Sequence, residues 1–193
     1  MPWTTQLRKL LSQESPSEKE AGKIQSSVIA LITGGEGDGQ ILLMKRTDQV
    51  ETHKGQICFP GGYRDDGDVD LLQTALRETD EEIGVKSERI EVLGRLSPVA
   101  TRNEVQILPW VGLLKNPGEF SLSHREVERL LFLPVAQLVD QELKLTTLNL
   151  TGVTVRTPGI VVDGELVWGA TAKMLVELRQ HLVKVYRKPR AMK

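Results

Sequence analysis

Runs of apolar residues along the chain predict a series of short strands separated by helices. Continuous or alternating apolar runs bounded by turn residues are typical of strands. They predict strands at 26–33, 40–46, 56–60, 90–96, 105–114, 143–148, 153–156 and 160–162. A further apolar stretch covers 127–133. Apolar residues at helical spacing predict helices around 7–11, near 71–84, at 134–139 and near 171–186. Strands that flank a central helix, with another helix at the end, predict an α/β fold.

The predicted helix near 71–84 has the sequence LLQTALRETDEEIG and recognisable ends. Asp70 followed by Gln73 resembles a capping box, so the helix is expected to start near Leu71. Gly84 is a typical C-cap glycine. At about 100° per residue, one face of the helix is expected to pack against the core. This face is formed by Leu72, Ala75, Leu76, Thr79 and Ile83.

Three glutamates of this helix fall together on a neighbouring face. Glu78 precedes Glu81 by three residues and Glu82 by four, so their Cβ atoms are expected about 5–6 Å apart. Like charges at that spacing repel, and a divalent cation among the carboxylates would remove the repulsion. Because all the ligands would be hard oxygens, the pattern favours Mg²⁺ or Mn²⁺ over zinc. Arg77 precedes Glu81 by four residues and is therefore expected to orient the Glu81 carboxylate. The alternative is a solvated acidic face.

Composition narrows the function classes. The net charge is -1, from 25 basic and 26 acidic residues, which gives no overall positive field for a nucleic acid. The single cysteine, Cys58, allows no intrachain disulfide, and its place between Ile57 and Phe59 favours a buried apolar role over a nucleophile. No apolar run approaches a membrane span and no signal peptide is recognisable, so the expected location is the cytoplasm. The length fits one domain at 25–193, after an N-terminal helix and linker at 1–24.

The residues around the central helix resemble the Nudix hydrolase box, G-x5-E-x7-R-E-U-x-E-E-x-G-U, in which U is apolar. Gly62 matches the first glycine, and the run from Arg77 to Val85 matches the end. Asp68 replaces the first glutamate of the box and is followed by eight residues rather than seven before the arginine. Thr79 stands where an apolar residue is usual.

Both departures resemble the coenzyme A pyrophosphatase branch of that family. The upstream signature of the branch runs LLTxR-[SA]-x3-R-x3-G-x3-FPGG. The chain has LLMKRT at 42–47, Gly55, and FPGG at 59–62 in the same register. It departs at Met44, at Thr47 and at Glu51, where the branch has arginine. The likeness covers about 26–185.

The resemblance implies a Nudix-type α/β/α sandwich with a mixed β-sheet. It also implies a metal-dependent hydrolase that cleaves the diphosphate of coenzyme A or its thioesters to 3′,5′-ADP and (acyl-)4′-phosphopantetheine. The cofactor would be Mg²⁺ or Mn²⁺, and the partner a small-molecule diphosphate. Glu78 and Glu82 would be the main metal ligands, and Glu81 a third ligand or a residue that orients water. Arg77 completes the expected catalytic helix.

Residues outside the helix are also implied in the site. Backbone amides at Gly61 and Gly62 would approach the substrate. Arg46 and Lys54 are candidate phosphate contacts, with ordinary surface cations as the alternative. Glu126 is the candidate general base, with a capping or solvated glutamate as the alternative.

Three functions stay open from the sequence. The first is hydrolysis of coenzyme A or its thioesters. The second keeps the chemistry on another nucleoside diphosphate derivative, such as a dinucleotide, a nucleotide sugar or a capped RNA end, and Glu51 favours it. The third is a non-catalytic nucleotide-binding module, which the complete set of carboxylates argues against. A homodimer is also left open.

Overall fold

The computed structural model describes residues 2–12, 24–34, 39–50, 53–101, 104–150 and 152–186. The segment 13–23, which contains the predicted linker, and Glu51 lie outside the described residues. The helices of the described part are α1 (Trp3–Leu10), α2 (Leu71–Ile83), α3 (Val135–Asp140) and α4 (Gly169–Val185). In that same part no helix is both long and apolar enough to cross a membrane.

Eight strands form one mixed sheet and three form a second sheet. The first sheet contains β1 (Ile24–Thr33), β2 (Gln40–Arg46), β3 (Ile57–Cys58), β4 (Gly61–Tyr63), β5 (Ile90–Arg95), β6 (Val99–Ala100), β7 (Gln106–Leu114) and β8 (Val127–Pro134). Its central order is β3-β2-β1-β7-β5, with β4 beside β1, β6 beside β7 and β8 beside β2. β1 and β7 are parallel. The second sheet, antiparallel, contains β9 (Lys144–Leu150), β10 (Val153–Val162) and β11 (Glu165–Trp168).

The mixed sheet separates two apolar cores. Successive strand residues point to opposite faces, so Ala30 and Ile32 of β1 enter one core while Ile29 and Leu31 enter the other. The first core also contains residues of α1, α3, α4 and the second sheet. The second core contains the apolar residues of α2. This arrangement confirms the predicted α/β/α sandwich.

The N-terminal helix shares the first core. Trp3, Leu7 and Leu11 are buried there, and the Trp3 ring meets the Tyr186 ring edge-on with centroids 5.4 Å apart. Arg8 also forms an ion pair with Glu91 of β5. α1 therefore packs into the domain whose start was predicted at residue 25.

Two strand predictions were wrong in their boundaries. The predicted strands at 153–156 and 160–162 are one strand, β10, which continues through Pro158. Pro158 pairs with Leu145 of β9, whereas pairing with β11 begins only at Gly159. The strand therefore has one neighbour at Pro158, and such an edge position tolerates proline. β11 itself was not predicted from the sequence.

The predicted strand at 56–60, by contrast, is divided into two strands in the structure. β3 pairs with β2, whereas β4 pairs with β1, so the chain crosses from one neighbour to the other at Phe59 and Pro60. This crossing brings the two glycines of β4 against α2.

Candidate active site

The ends of α2 are fixed as the sequence predicts. The Asp70 side chain accepts a hydrogen bond from the Gln73 backbone amide at 2.8 Å. The Gln73 side chain in turn accepts one from the Val69 amide at 2.6 Å. Gly84 ends the helix in the left-handed conformation, with φ of 70°, which glycine adopts without a steric penalty. These caps fix the two ends of α2, between which its carboxylates lie.

The core face of α2 differs from the predicted one. Its buried residues are Leu71, Thr74, Ala75, Thr79, Glu82 and Ile83. Leu72 and Leu76, predicted on the core face, are half-buried and pack against the second core. The helix packs against β1 and β4, which turns Thr74 and Glu82 inward. The buried Thr79 hydroxyl donates a hydrogen bond to the Ala75 carbonyl of the same helix at 2.6 Å.

Glu82 is a carboxylate buried against the glycines of β4, with only 2% of the residue exposed. Its Oε2 accepts a hydrogen bond from the Gly61 amide at 2.9 Å, and its Oε1 lies 3.4 Å from Arg46 Nη1. Burial raises the pKa of Glu82 to about 8, although the Gly61 amide and Arg46 oppose the shift. The negative charges of Glu78 and Glu126 raise this pKa further.

Gly61 is a position that only glycine can fill. Its φ is 140°, a region that side chains rarely adopt. An added Cβ would lie 2.3 Å from the Ser27 carbonyl oxygen and 2.5 Å from the Val28 Cα. The close approach of β4 to β1 therefore depends on the missing side chain, and it aims the Gly61 amide at Glu82.

Glu78 lies directly over the second glycine. A Cβ at Gly62 would lie 2.5 Å from Glu78 Cδ. Partial burial raises the pKa of Glu78, and the charges of Glu81 and Glu126 add to the shift, whereas Arg77 opposes it. Burial thus raises the pKa of both Glu78 and Glu82, and the charge of Glu78 adds to the shift at Glu82.

Arg77 holds the exposed side of the carboxylate group. Its Nε and Nη2 each lie 3.0 Å from an oxygen of Asp68. Its Nη1 donates to Glu78 at 3.0 Å and to Glu81 at 3.2 Å, so the contact expected from the spacing of Arg77 and Glu81 is present. The guanidinium holds the pKa of the buried Asp68 carboxyl well below its usual range. Asp68, at the position of the first box glutamate, therefore anchors Arg77, a role that sequence reasoning missed.

Glu126 reaches the same site from the start of β8. The loop before it runs along the C-terminal end of α2, where the Ser123 amide donates to the Glu82 carbonyl at 2.9 Å. The Glu126 carbonyl accepts from the Thr47 amide at 2.9 Å. The side chain is exposed, and its charge raises the pKa of both Glu78 and Glu82. The structure therefore brings Glu126 close to the helix carboxylates.

The two candidate phosphate contacts lie in different surroundings. Arg46 is directed at Glu82, and its Nε is buried without a hydrogen-bond partner. Lys54 is exposed in the turn that leads to β3. Their contacts with substrate stay predictions.

Near Arg46, burial raises the pKa of the Cys58 thiol to about 12. The half-buried Cys58 is therefore protonated at neutral pH, which agrees with a non-nucleophilic role.

The donors fit a hard divalent cation in their chemistry, since they are carboxylate oxygens. Within the described residues, however, no group of three or more His, Cys, Asp or Glu side chains converges closely enough to hold a metal ion. Glu82 faces Gly61, whereas the Glu81 side chain is 59% exposed and bound to Arg77. A cation between Glu78 and Glu82 would offset the burial that chiefly raises both pKa values. Glu81 would join it only by leaving Arg77.

Comparisons with known proteins show which family the chain resembles. The family model of the NUDIX domain matches residues 23–149. An uncharacterized Nudix hydrolase from Yersinia enterocolitica is 30% identical over 173 residues, which cover 89% of this chain and 88% of that protein. A peroxisomal coenzyme A diphosphatase from Caenorhabditis elegans is 36% identical over 137 residues, which cover 69% of this chain and 58% of that protein.

Solved structures show the same fold. A binary complex of an Ap4A hydrolase from Caenorhabditis elegans is 20% identical, with a TM-score of 0.51, over 60% of this chain and 84% of that one. A MutT/nudix family protein from Enterococcus faecalis is 16% identical, with a TM-score of 0.53, over 89% of this chain and 66% of that one. At these identities the likeness confirms the architecture.

Proposed function

The chain belongs to the NUDIX family, and we propose that it cleaves the diphosphate of coenzyme A or its thioesters to 3′,5′-ADP and (acyl-)4′-phosphopantetheine. The chain is a Nudix hydrolase and therefore an enzyme; the coenzyme A substrate is the proposed part. Two observations support it: the upstream signature across 42–62, and the similarity to the Caenorhabditis elegans protein named as a coenzyme A diphosphatase. A cytoplasmic location stays a prediction.

The observation that carries the hydrolytic function is the packing of Glu78 and Glu82 on the glycines of β4. The Glu82 carboxylate accepts a hydrogen bond from the Gly61 amide at 2.9 Å, and the Glu78 carboxylate fills the space over Gly62. Two desolvated carboxylates beside a bare stretch of backbone form a site that an oxygen-rich substrate and a cation can enter together.

Glu78 and Glu82 would hold the divalent ion, for which we propose Mg²⁺ or Mn²⁺. Nudix hydrolases generally use divalent metal ions, and such an ion, when bound, screens diphosphate oxygens and lowers the pKa of water. Arg77 keeps Glu78 in place from the outer side, while the Gly61 amide keeps Glu82 in place from the inner side. The expected role of Glu81 is to orient water or to serve as a third ligand.

Glu126 is the proposed general base. As a water oxygen forms a bond to one phosphorus, the bridging P–O bond breaks, and the departing phosphate keeps the electron pair. The attacking water must lose a proton, and the Glu126 carboxylate accepts it. Its exposure keeps Glu126 hydrated, and its backbone is fixed by the Thr47 amide. Glu126 is therefore accessible to an incoming water while its backbone is held in place.

A second substrate class is favoured by two residues. Glu51 stands where the coenzyme A branch has arginine, and Arg46 is directed at Glu82. Fewer cations are then free to bind the additional phosphate of coenzyme A. The alternative substrate is another nucleoside diphosphate derivative, such as a dinucleotide, a nucleotide sugar or a capped RNA end.

A substrate panel separates these alternatives. The purified protein, with Mg²⁺ or Mn²⁺, is offered coenzyme A, ADP-ribose, NADH, diadenosine polyphosphates and a nucleoside triphosphate, and the products are resolved by chromatography. Preference for coenzyme A supports the proposal, and preference for another diphosphate supports the alternative. Binding without turnover of any compound would indicate a non-catalytic module. Glu82→Gln should abolish turnover in either enzymatic case while the fold is retained.

A further inference from the structure

Tyr63 is exposed although the other aromatic side chains are not. The chain has three Trp, two Tyr and three Phe residues, and all eight lie in the described part. Tyr63 is 60% exposed, whereas the remaining seven are buried or half-buried. Packing therefore gives no reason for an aromatic ring at this position.

The ring emerges beside the candidate active site. Tyr63 follows Gly62, and consecutive Cα atoms are about 3.8 Å apart. Side chains alternate along a strand, so Tyr63 leaves β4 on the face opposite to the one that Gly62 turns toward Glu78. The ring therefore lies one residue from the glycine that Glu78 covers and leaves the Glu78 side of β4 free for the metal ion and the phosphates.

The backbone under the ring is held on both sides. Tyr63 pairs with Ser26 of β1, and its carbonyl oxygen accepts a hydrogen bond from Arg77 Nη2 at 3.2 Å. The same Arg77 is fixed by Asp68. An open depression of about 240 Å³, lined by Arg64, Asp65 and Asp66, begins at the next residue. The ring thus stands on rigid backbone with open, polar space nearby.

We propose that Tyr63 is a stacking platform for the base of a nucleoside diphosphate substrate. This inference rests on the proposed hydrolase function and names the recognition element for the nucleoside part. Every base has a π-face, so stacking on a tyrosine ring accepts different bases, and it strengthens binding by about 5- to 150-fold per base. A tyrosine also loses little conformational entropy when it binds, because it has two rotatable side-chain angles.

Binding of the product nucleotide tests the platform without any need for turnover. Isothermal titration with 3′,5′-ADP is compared with titration with inorganic pyrophosphate, which has no base. Tyr63→Ala and Tyr63→Leu remove the ring, and Tyr63→Phe keeps it. Val69→Ala is the matched control, because Val69 is an apolar side chain that is 82% exposed six residues further on.

The expected result is a Kd for 3′,5′-ADP that rises about tenfold in both ring-removing variants. The Kd should be unchanged in Tyr63→Phe and Val69→Ala, and the Kd for pyrophosphate should be unchanged in all four. The KM for coenzyme A should rise with the nucleotide Kd while kcat stays constant. If Tyr63→Ala fails to fold, Tyr63→Leu decides the question, since it keeps apolar bulk.

Three outcomes would overturn the platform. They are an unchanged nucleotide Kd in a folded ring-removing variant, an equal loss of nucleotide and pyrophosphate binding, and no nucleotide binding by the wild type. Failure of the proposed function gives a different result: no turnover, but nucleotide binding that still depends on the ring. If coenzyme A is turned over with the same KM in the wild type and in the ring-removing variants, the stacking role of Tyr63 is rejected and the hydrolase function is kept.

Discussion

A methyl group at Gly62 tests whether the Glu78 carboxylate is needed where the structure places it. In Gly62→Ala the new Cβ would lie 2.5 Å from Glu78 Cδ and 2.6 and 2.7 Å from its two oxygens. These atoms are the end of a flexible side chain, and the φ of Gly62 is not positive. The substitution should therefore displace the carboxylate and leave the backbone in place.

The expected cost in stability is small. The displaced Glu78 loses its partly exposed ion pair with Arg77, which contributes about 0–1 kcal/mol, and moving to a poorer rotamer costs about 0.5–1.5 kcal/mol. Replacing glycine by alanine within a strand returns about 0.5–1 kcal/mol. The free energy of unfolding should therefore fall by no more than about 2 kcal/mol, or roughly 4–8 °C in Tm for a domain of this size.

The expected cost in activity is large. Removing a metal ligand from the reacting phosphates should lower kcat/KM by at least about 100-fold, equivalent to about 2.7 kcal/mol of transition-state stabilisation. Chromatographic product assays give kcat/KM, thermal unfolding followed by circular dichroism gives Tm, and titration with Mn²⁺ gives metal affinity. Weakened Mn²⁺ binding together with lost activity would assign the effect to the Glu78 carboxylate.

Gly61→Ala is the matched control, because its added Cβ meets backbone. It would lie 2.3 Å from the Ser27 carbonyl oxygen, at a φ of 140°. Overpacking and backbone strain each cost about 1–3 kcal/mol, so Tm should fall clearly further than in Gly62→Ala. A fully active Gly62→Ala enzyme with unchanged Tm would refute the placement of Glu78. Equal losses of Tm in the two variants would refute the distinction between side-chain and backbone contacts.

Two further substitutions test the residues around the carboxylates. Asp68→Asn should lower the free energy of unfolding by about 2–3 kcal/mol at pH 7 in urea denaturation, less than a fully buried pair because Arg77 is partly exposed and keeps its other partners. The pKa of Asp68 is lower in the folded chain than its unfolded value of about 3.9, so the stabilisation is complete above that pH and is lost as the pH falls below it. The variant should therefore lose less stability than the wild type between pH 5 and pH 3, and parallel acid profiles would contradict the pairing. Glu126→Gln should lower kcat by about 10²–10⁴-fold, with KM and Tm nearly unchanged because the side chain is exposed. A wild-type kcat in steady-state assays would remove Glu126 as the base.

Local sequence information was enough for the helix that carries the site. The caps at Asp70 and Gly84 and the contact of Arg77 with Glu81 depend on residues within four positions of each other. Such short-range geometry is set by the helix itself. The apolar runs predicted an α/β fold, and the α/β/α layers were implied by the resemblance to the Nudix hydrolases.

Long-range contacts are what the sequence could not supply. The hydrogen bond from Gly61 to Glu82 spans 21 positions, and the ion pair of Arg46 with Glu82 spans 36. The first depends on the crossing between β3 and β4, which sequence periodicity represented as one strand. For the same reason Glu82 was assigned to a polar face although it is buried. Its burial is the source of the raised pKa that marks the site.

Direct measurement of metal binding tests the central claim most simply. Mn²⁺ is titrated into the wild type, Glu78→Gln and Glu82→Gln, and free Mn²⁺ is followed by electron paramagnetic resonance. The wild type should bind Mn²⁺, and each substitution should weaken binding by at least about tenfold, since each removes one charged ligand. Equal Mn²⁺ affinity in all three proteins, with the fold retained, would contradict the assignment of these carboxylates as the metal site.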